Sequence, residues 1–265
     1  TWSETCRMYR EKYPTIRKEQ LKPDPTREAN VYAVVEALSS RLGEDQITVV
    51  GNGSACVVGG HAYVIKKGQR FITNSAVAAM GYDLPAAIGA WTASRDSRCY
   101  SQGRDRSGED LILVTGDGSI QMNLQELQTI IHHKMGIKIF LINNGGYHSI
   151  RQTQKNFFGE PLIGIGVDSG DLSFPDMEKL AGAYGYPYIK AEHNSELAKA
   201  VEQTLAVEGP VICEIFVSMD QNFEPKSSAK RLPDGTLVSP PLEDLAPFLP
   251  EEEMDRNMII PRIRE

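Results

Sequence analysis

The run Leu111-Ile112-Leu113-Val114-Thr115-Gly116-Asp117-Gly118-Ser119 decides how the rest of the chain is read. Its first five residues are apolar or β-branched with no polar alternation, which suits a strand buried on both faces. Gly116 to Ser119 breaks that strand, and Leu124 to Ile131 then has helical spacing. Strand, glycine turn and helix in that order form the unit of a parallel α/β sheet. The turn lies beyond a strand's carboxyl end, where open α/β sheets bind ligands.

The same pattern extends in both directions. Toward the N-terminus, Asn30 to Leu42 carries Val31, Val34, Val35, Leu38 and Leu42 at helical spacing, with Gly43 as its stop. Ile47 to Val50 is a strand running into Gly51-Asn52-Gly53-Ser54. Phe71 to Thr73 is a further strand, and Leu84 to Ala93 is a helix with Pro85 in its first turn. Toward the C-terminus, Ile137 to Ile142 is a strand ended by Asn143-Asn144-Gly145-Gly146. Phe174 to Tyr184 and Ser195 to Leu205 read as helices, and Tyr188-Ile189 and Val211 to Val217 as strands. The expected fold is α/β: a three-layer α/β/α sandwich with a mostly parallel central sheet of about six strands. Residues 1–29 read as a linker or leading arm, 30–220 as the domain, and 221–265 as a proline-rich tail lying extended or reaching a neighbour.

Composition narrows the classes of function. The 265 residues carry 28 Lys+Arg against 35 Asp+Glu, a formal charge of -7 that argues against nucleic-acid binding. No apolar run approaches the roughly 18 residues of a membrane span. The start, Thr1-Trp2-Ser3-Glu4, is not a secretory signal, and it lacks an initiator Met, which favours a piece of something longer. Cys6, Cys56, Cys99 and Cys213 form no close pair, so a reducing, cytoplasmic setting is expected.

Glycines at 116 and 118 let backbone approach a phosphate, and free amides at the next helix start favour an anion. Asp117 beside a diphosphate makes sense if a divalent metal lies between them. Taken alone, Gly-Asp-Gly-Ser is also a tight βα turn, and Asn-Asn-Gly-Gly a common turn. Asn144 follows Asp117 by 27 residues, a crossover that places the two strand ends side by side. Asp117, the Asn144 amide oxygen and a carbonyl of Gly145-Gly146 can then converge on one metal. A nucleotide-binding protein is a competing reading, but the chain lacks a GxxxxGK[S/T] loop and a clean GxGxxG. His132-His133 reads as a helix-end pair, and His61 and His193 have no ligand-like company.

The paired motifs resemble the cofactor-binding signature of thiamine diphosphate enzymes. The run from Phe71-Ile72-Thr73-Asn74-Ser75 through Met80-Gly81-Tyr82-Asp83-Leu84-Pro85-Ala86-Ala87-Ile88-Gly89-Ala90 resembles their acetolactate synthase-like branch. The resemblance covers about residues 30 to 220. It implies the C-terminal diphosphate-binding domain of a three-domain enzyme, using thiamine diphosphate and Mg²⁺ on a 2-oxo acid. Decarboxylation with carboligation is the implied reaction. A simple 2-oxo acid decarboxylase subunit, or a non-catalytic assembly or regulatory module, are the alternatives.

By position, the resemblance makes Asp117, Asn144 and the Gly146 carbonyl the Mg²⁺ ligands. Gly53, Gly116, Gly118 and Ser119 would line the diphosphate, with Ser54 and Ala55 where the synthases have Gln and His. Met80 would hold the cofactor bent, and the Ala78 carbonyl would receive the aminopyrimidine amine. Tyr147, His148 and Ser149 open a segment that packs over the cofactor, with His148 as a proton shuttle and Arg151 able to meet a carboxylate. Residues 95–109 look like a polar surface insertion. The Glu that activates the cofactor belongs to the family's pyrimidine-binding domain, which nothing here matches. That domain is therefore expected from the same longer chain or a partner subunit, and the assembly is expected to be a homo-oligomer.

Overall fold

The computed structural model describes residues 1–96 and 109–262. These divide into two compact units, Ile16–Gln221 and Thr1–Thr15 with Asn222–Glu265. In the larger unit, six strands form one sheet in the order β2-β1-β3-β4-β6-β5, every pairing parallel. The strands are β1 (Ile47–Val50), β2 (Arg70–Thr73), β3 (Leu111–Gly116), β4 (Ile137–Asn143), β5 (Tyr188–Ala191) and β6 (Val211–Phe216). The expected fold class is therefore the observed one.

Two helical layers cover the sheet because its strands are apolar on both faces. Leu111, Leu113, Ile137, Ile139 and Leu141 face one layer. Leu84 and Ala87 of α4 (Asp83–Arg95), Leu127 and Ile130 of α6 (Glu126–His132), and Met177 and Ala181 of α8 (Met177–Tyr184) complete that core. On the other side, α2 (Val31–Arg41) packs beside α3 (Ser54–Ala62) and α9 (Asn194–Ala206). Leu113 is fully buried at its centre. Leu113→Ala is expected to cost about 2–5 kcal/mol by leaving a cavity the strands cannot close, read as a lowered denaturant midpoint.

Element ends differ from expectation where local chemistry decides them. Helix α2 ends at Leu42 in an extended conformation, so Gly43 is not its left-handed stop. Helix α8 begins after Asp176 rather than at Phe174, because the Asp176 carboxylate caps Lys179 N at 3.1 Å. Helix α3 was not foreseen: Gly59 breaks its apolar pattern, yet a Cβ there would lie 3.0 Å from the Phe71 ring of β2.

The smaller unit joins the two chain ends. Helix α1 (Trp2–Lys12) opens with a capping box between Thr1 and Glu4. Its Tyr9 hydroxyl donates to the Asn257 carbonyl (3.0 Å), and Tyr13 bonds Glu253 of α10 (Glu251–Asn257) at 2.5 Å. A short hairpin, β7 (Lys230–Arg231) with β8 (Leu237–Val238), also belongs to this unit. The insertion expected at 95–109 lies mostly outside the described residues, as does Cys99. No helix among the described residues is long and apolar enough to cross a membrane.

Candidate functional site

Strand order places the site. From β1 the chain crosses one way to β2, and from β3 the other way to β4, so a crevice opens beyond the β1 and β3 ends. Gly51 N bonds the Val114 carbonyl (2.8 Å), and Gly116 pairs with Ile142, which brings three strand-end loops together. Between them lies a cleft of about 110 Å³ lined by Gly53, Ser54, Met80, Gly116, Gly118, Ser119, Asn144, Gly146, Tyr147, His148 and Ser149. Asn52, Ile142 and Ile150 also line it, and no motif marks them as site residues. Ala78 does not line it, nor does Asp117, which is buried between the lining residues Gly116 and Gly118. A larger hollow of about 630 Å³ near Lys22, Arg27 and Asn194 holds none of the expected site residues, and its charges are mixed. The smaller cleft is the better candidate because the strand ends converge there.

Asp117 opens α5 (Asp117–Ile120) and is buried. Its Oδ1 accepts from Gly118 N and its Oδ2 from Gly146 N, both at 2.9 Å. The second bond fastens the loop after β4 to the turn after β3. Burial nevertheless pushes the carboxyl pKa up from 3.8 to about 7, against the lowering pull of those amides and of Arg151. Asn144 donates from Nδ2 to Ser54 Oγ (3.0 Å), while its buried Oδ1 has no hydrogen-bond partner among the described residues. Such an orphan acceptor is costly and rare in a folded chain. The Gly146 carbonyl also accepts no hydrogen bond among the described residues.

Glycines are required here by close approach. A Cβ on Gly118 would lie 2.5 Å from the Tyr147 ring. Gly81, at φ +77, donates to Ser119 Oγ (2.9 Å) and accepts from Asn123 Nδ2 (2.6 Å), which holds the neighbouring Met80 against the start of α5. Ala78 has φ 54, a left-handed conformation uncommon outside glycine and often found at functional sites. Its segment, Ser75 to Ala79, is exposed.

His148 and Arg151 lie on α7 (His148–Phe157), a helix that sequence patterning did not reveal, and both are buried. His148 Nε2 donates to the Gln221 carbonyl (2.6 Å), and Nδ1 faces Arg151 Nη1 at 3.5 Å. Burial lowers its pKa, so the ring is neutral with its proton on Nε2. The carboxylate that Arg151 meets is Asp168, at 2.8 Å from both Nε and Nη2. That guanidinium holds the Asp168 carboxyl below its usual range. No local sequence signal marks Asp168, which lies in the short turn Val167–Ser169, 17 residues on. None of the cleft-lining residues is Lys, Arg, Asp or Glu. The remaining histidines are elsewhere: His61 on Tyr32, His132 against His133, and His193 on the Arg27 carbonyl.

The model of the family described as "Thiamine pyrophosphate enzyme, C-terminal TPP binding domain" matches residues 51–215. An acetolactate synthase large subunit of Cyanidium caldarium is 34% identical over 157 residues, covering 59% of this chain and 24% of that protein. The large subunit of Porphyra purpurea is 28% identical over 225 residues, 85% of this chain and 34% of its own. Acetolactate synthase 2, chloroplastic, of Nicotiana tabacum is 30% identical over 194 residues, 68% of this chain and 27% of its own. The chain thus spans between 24% and 34% of the length of these relatives. The matched residues run from the Gly51 turn through β3, β4 and β6, and on that match the chain belongs to the thiamine pyrophosphate enzymes, by their C-terminal TPP-binding domain.

Proposed function

We propose that the cleft binds thiamine diphosphate through Mg²⁺, as part of an enzyme that decarboxylates a 2-oxo acid and transfers the product to a carbonyl acceptor. The observation that carries this reading is the orphan Asn144 Oδ1 in a loop tied, through the Gly146 amide, to the buried Asp117 carboxylate. Oxygen-only donors suit a small hard cation, and Asp117, Asn144 Oδ1 and the Gly146 carbonyl supply them. Among the described residues there is no cluster of three His, Cys, Asp or Glu that would favour a softer metal. A non-catalytic module has no need of so costly an arrangement. Related proteins named acetolactate synthase support a synthase over a simple decarboxylase.

When bound, thiamine diphosphate supplies the electron sink that 2-oxo acid decarboxylation requires. The protein's part is positioning. Gly53, Gly116, Gly118 and Ser119 let the backbone and one hydroxyl meet the diphosphate, with amides at the start of a helix. Met80 would support the cofactor from the cleft wall, and the Ala78 carbonyl would receive its aminopyrimidine amine. Ser54 holds Asn144, and Tyr147, His148 and Ser149 close the cleft on the substrate side. To give up its Nε2 proton, His148 would have to release the Gln221 carbonyl. The pyrimidine-binding domain, in cis or in a partner subunit, supplies the activating Glu, and the working assembly is a homo-oligomer with a 2-oxo acid as substrate. A cytoplasmic setting suits the unpaired Cys6, Cys56 and Cys213.

Calorimetric titration with thiamine diphosphate, with and without Mg²⁺, tests this reading. Uptake that needs Mg²⁺ and is reversed by chelation is expected; preference for a nucleotide would overturn it. Met80→Ala, measured in an enzyme that includes the pyrimidine-binding half, is expected to lower turnover about 100-fold with much less change in cofactor affinity, because misalignment of reacting atoms is costly. Lost affinity with turnover intact would contradict the role given to Met80.

A further inference from the structure

We propose that Arg151 and Asp168 form a brace that sets the geometry of the Asn144–Gly146 loop for a small divalent cation. The proposal rests on the reading of the cleft as a metal and diphosphate site, and it concerns two residues outside the donor set. Arg151 is 1% exposed. Besides its two bonds to Asp168, it donates from Nη1 to the Asn144 carbonyl and from Nη2 to the Gly145 carbonyl, both at 3.1 Å. A planar guanidinium fixes these acceptors relative to one another in a way a flexible ammonium cannot. Consecutive carbonyls of the loop are thus turned to Arg151, and the next one, at Gly146, is left without a hydrogen bond among the described residues.

Asp168 is itself anchored to the loop it steadies. It lies in the turn Val167–Ser169. Val167 N donates to the Gly145 carbonyl (3.0 Å), and Tyr147 N donates to the Ile165 carbonyl (2.7 Å). A Cβ on Gly146 would lie 2.1 Å from the Ile165 oxygen, and one on Gly166 would lie 2.1 Å from the Gly145 oxygen. Backbone contact and ion pair together leave the loop little freedom to adjust. Arg151 is therefore a positioning residue, acting through the backbone that carries Asn144 and Gly146.

Ion selectivity separates this role from simple support of the fold. Mg²⁺ demands near-octahedral geometry at about 2.0–2.1 Å, whereas Ca²⁺ accepts looser shells at about 2.3–2.6 Å. A loosened loop should lose Mg²⁺ first. The test titrates the full chain and its Arg151→Met, Arg151→Lys and Asp168→Asn variants with thiamine diphosphate, in Mg²⁺ or in Ca²⁺. Mg²⁺-supported binding is expected to weaken about 10- to 100-fold, as when a partner that orients a metal ligand is removed. Ca²⁺-supported binding should weaken less, so that the Mg²⁺-to-Ca²⁺ affinity ratio falls about tenfold. Arg151→Lys should not restore the ratio. If Arg151→Met does not fold, Asp168→Asn carries the same test, since the Asp168 side chain is 23% exposed. Equal losses with both ions, or none, would overturn the brace while wild-type uptake leaves the site reading intact. A wild-type chain that takes up thiamine diphosphate with neither ion would overturn both.

Discussion

Asp117→Ala is expected to abolish Mg²⁺-supported binding of thiamine diphosphate, a larger loss than the roughly 10- to 100-fold produced when an orienting partner is removed. Asp117 is the one carboxylate in the proposed donor set, and an amide and a carbonyl alone bind Mg²⁺ poorly. Its oxygens also receive the Gly118 and Gly146 amides, so Asp117→Asn, which keeps the shape, is the companion variant. The raised pKa adds a signature in pH. In the metal-free chain the carboxyl holds its proton up to about 7, against 3.8 unperturbed. Between those values the folded state binds a proton that the unfolded state has lost, so stability falls as pH rises through that window. Metal binding needs the ionised form, so Mg²⁺-supported affinity should fall about tenfold per unit as pH drops below about 7. Both slopes should vanish in Asp117→Asn. Unchanged cofactor affinity in either variant would sink the metal assignment.

The second large effect concerns completeness. This chain alone is expected to release no carbon dioxide from a panel of 2-oxo acids, and to gain that activity when a pyrimidine-binding half is supplied in cis or in trans. The cleft is lined by no Asp or Glu that could serve as the activating carboxylate. Next to Met80 in sequence, Ser75 to Ala79 stands exposed with Val77 at 77%, and Ile150 is 45% exposed at the cleft. The restored activity should depend on a Glu from the added half. Robust cofactor-dependent release by these 265 residues alone would show that the activating carboxylate is already present.

What the sequence made legible follows from how each element is stabilised. Strands β3 and β4 are nearly unbroken apolar runs, because both faces meet helices. Lys138 interrupts β4 only at the end away from the site, where it pairs with Asp110 at 3.1 Å. The two strand-end turns could be placed together because one crossover separates them. Helix α7 was hidden because its faces are reversed: Ile150 and Phe157 are exposed, while the buried side carries His148 and Arg151 and packs through polar bonds. Helices α1 and α10 were hidden for a related reason: Tyr9 and Tyr13, one turn apart, meet Asn257 and Glu253 by hydrogen bonds. Asp168 was beyond reach because an ion pair across an irregular loop leaves no pattern in sequence.

The central claim is that Asp117, Asn144 and Gly146 hold the ion that holds the cofactor. The most direct measurement is a crystal structure of the chain grown with thiamine diphosphate and Mn²⁺, located by its anomalous scattering. The expected result is one strong peak bonded to an Asp117 carboxylate oxygen, Asn144 Oδ1 and the Gly146 carbonyl, with the diphosphate completing its shell. A peak elsewhere, or cofactor bound with no metal at these three residues, would contradict the account.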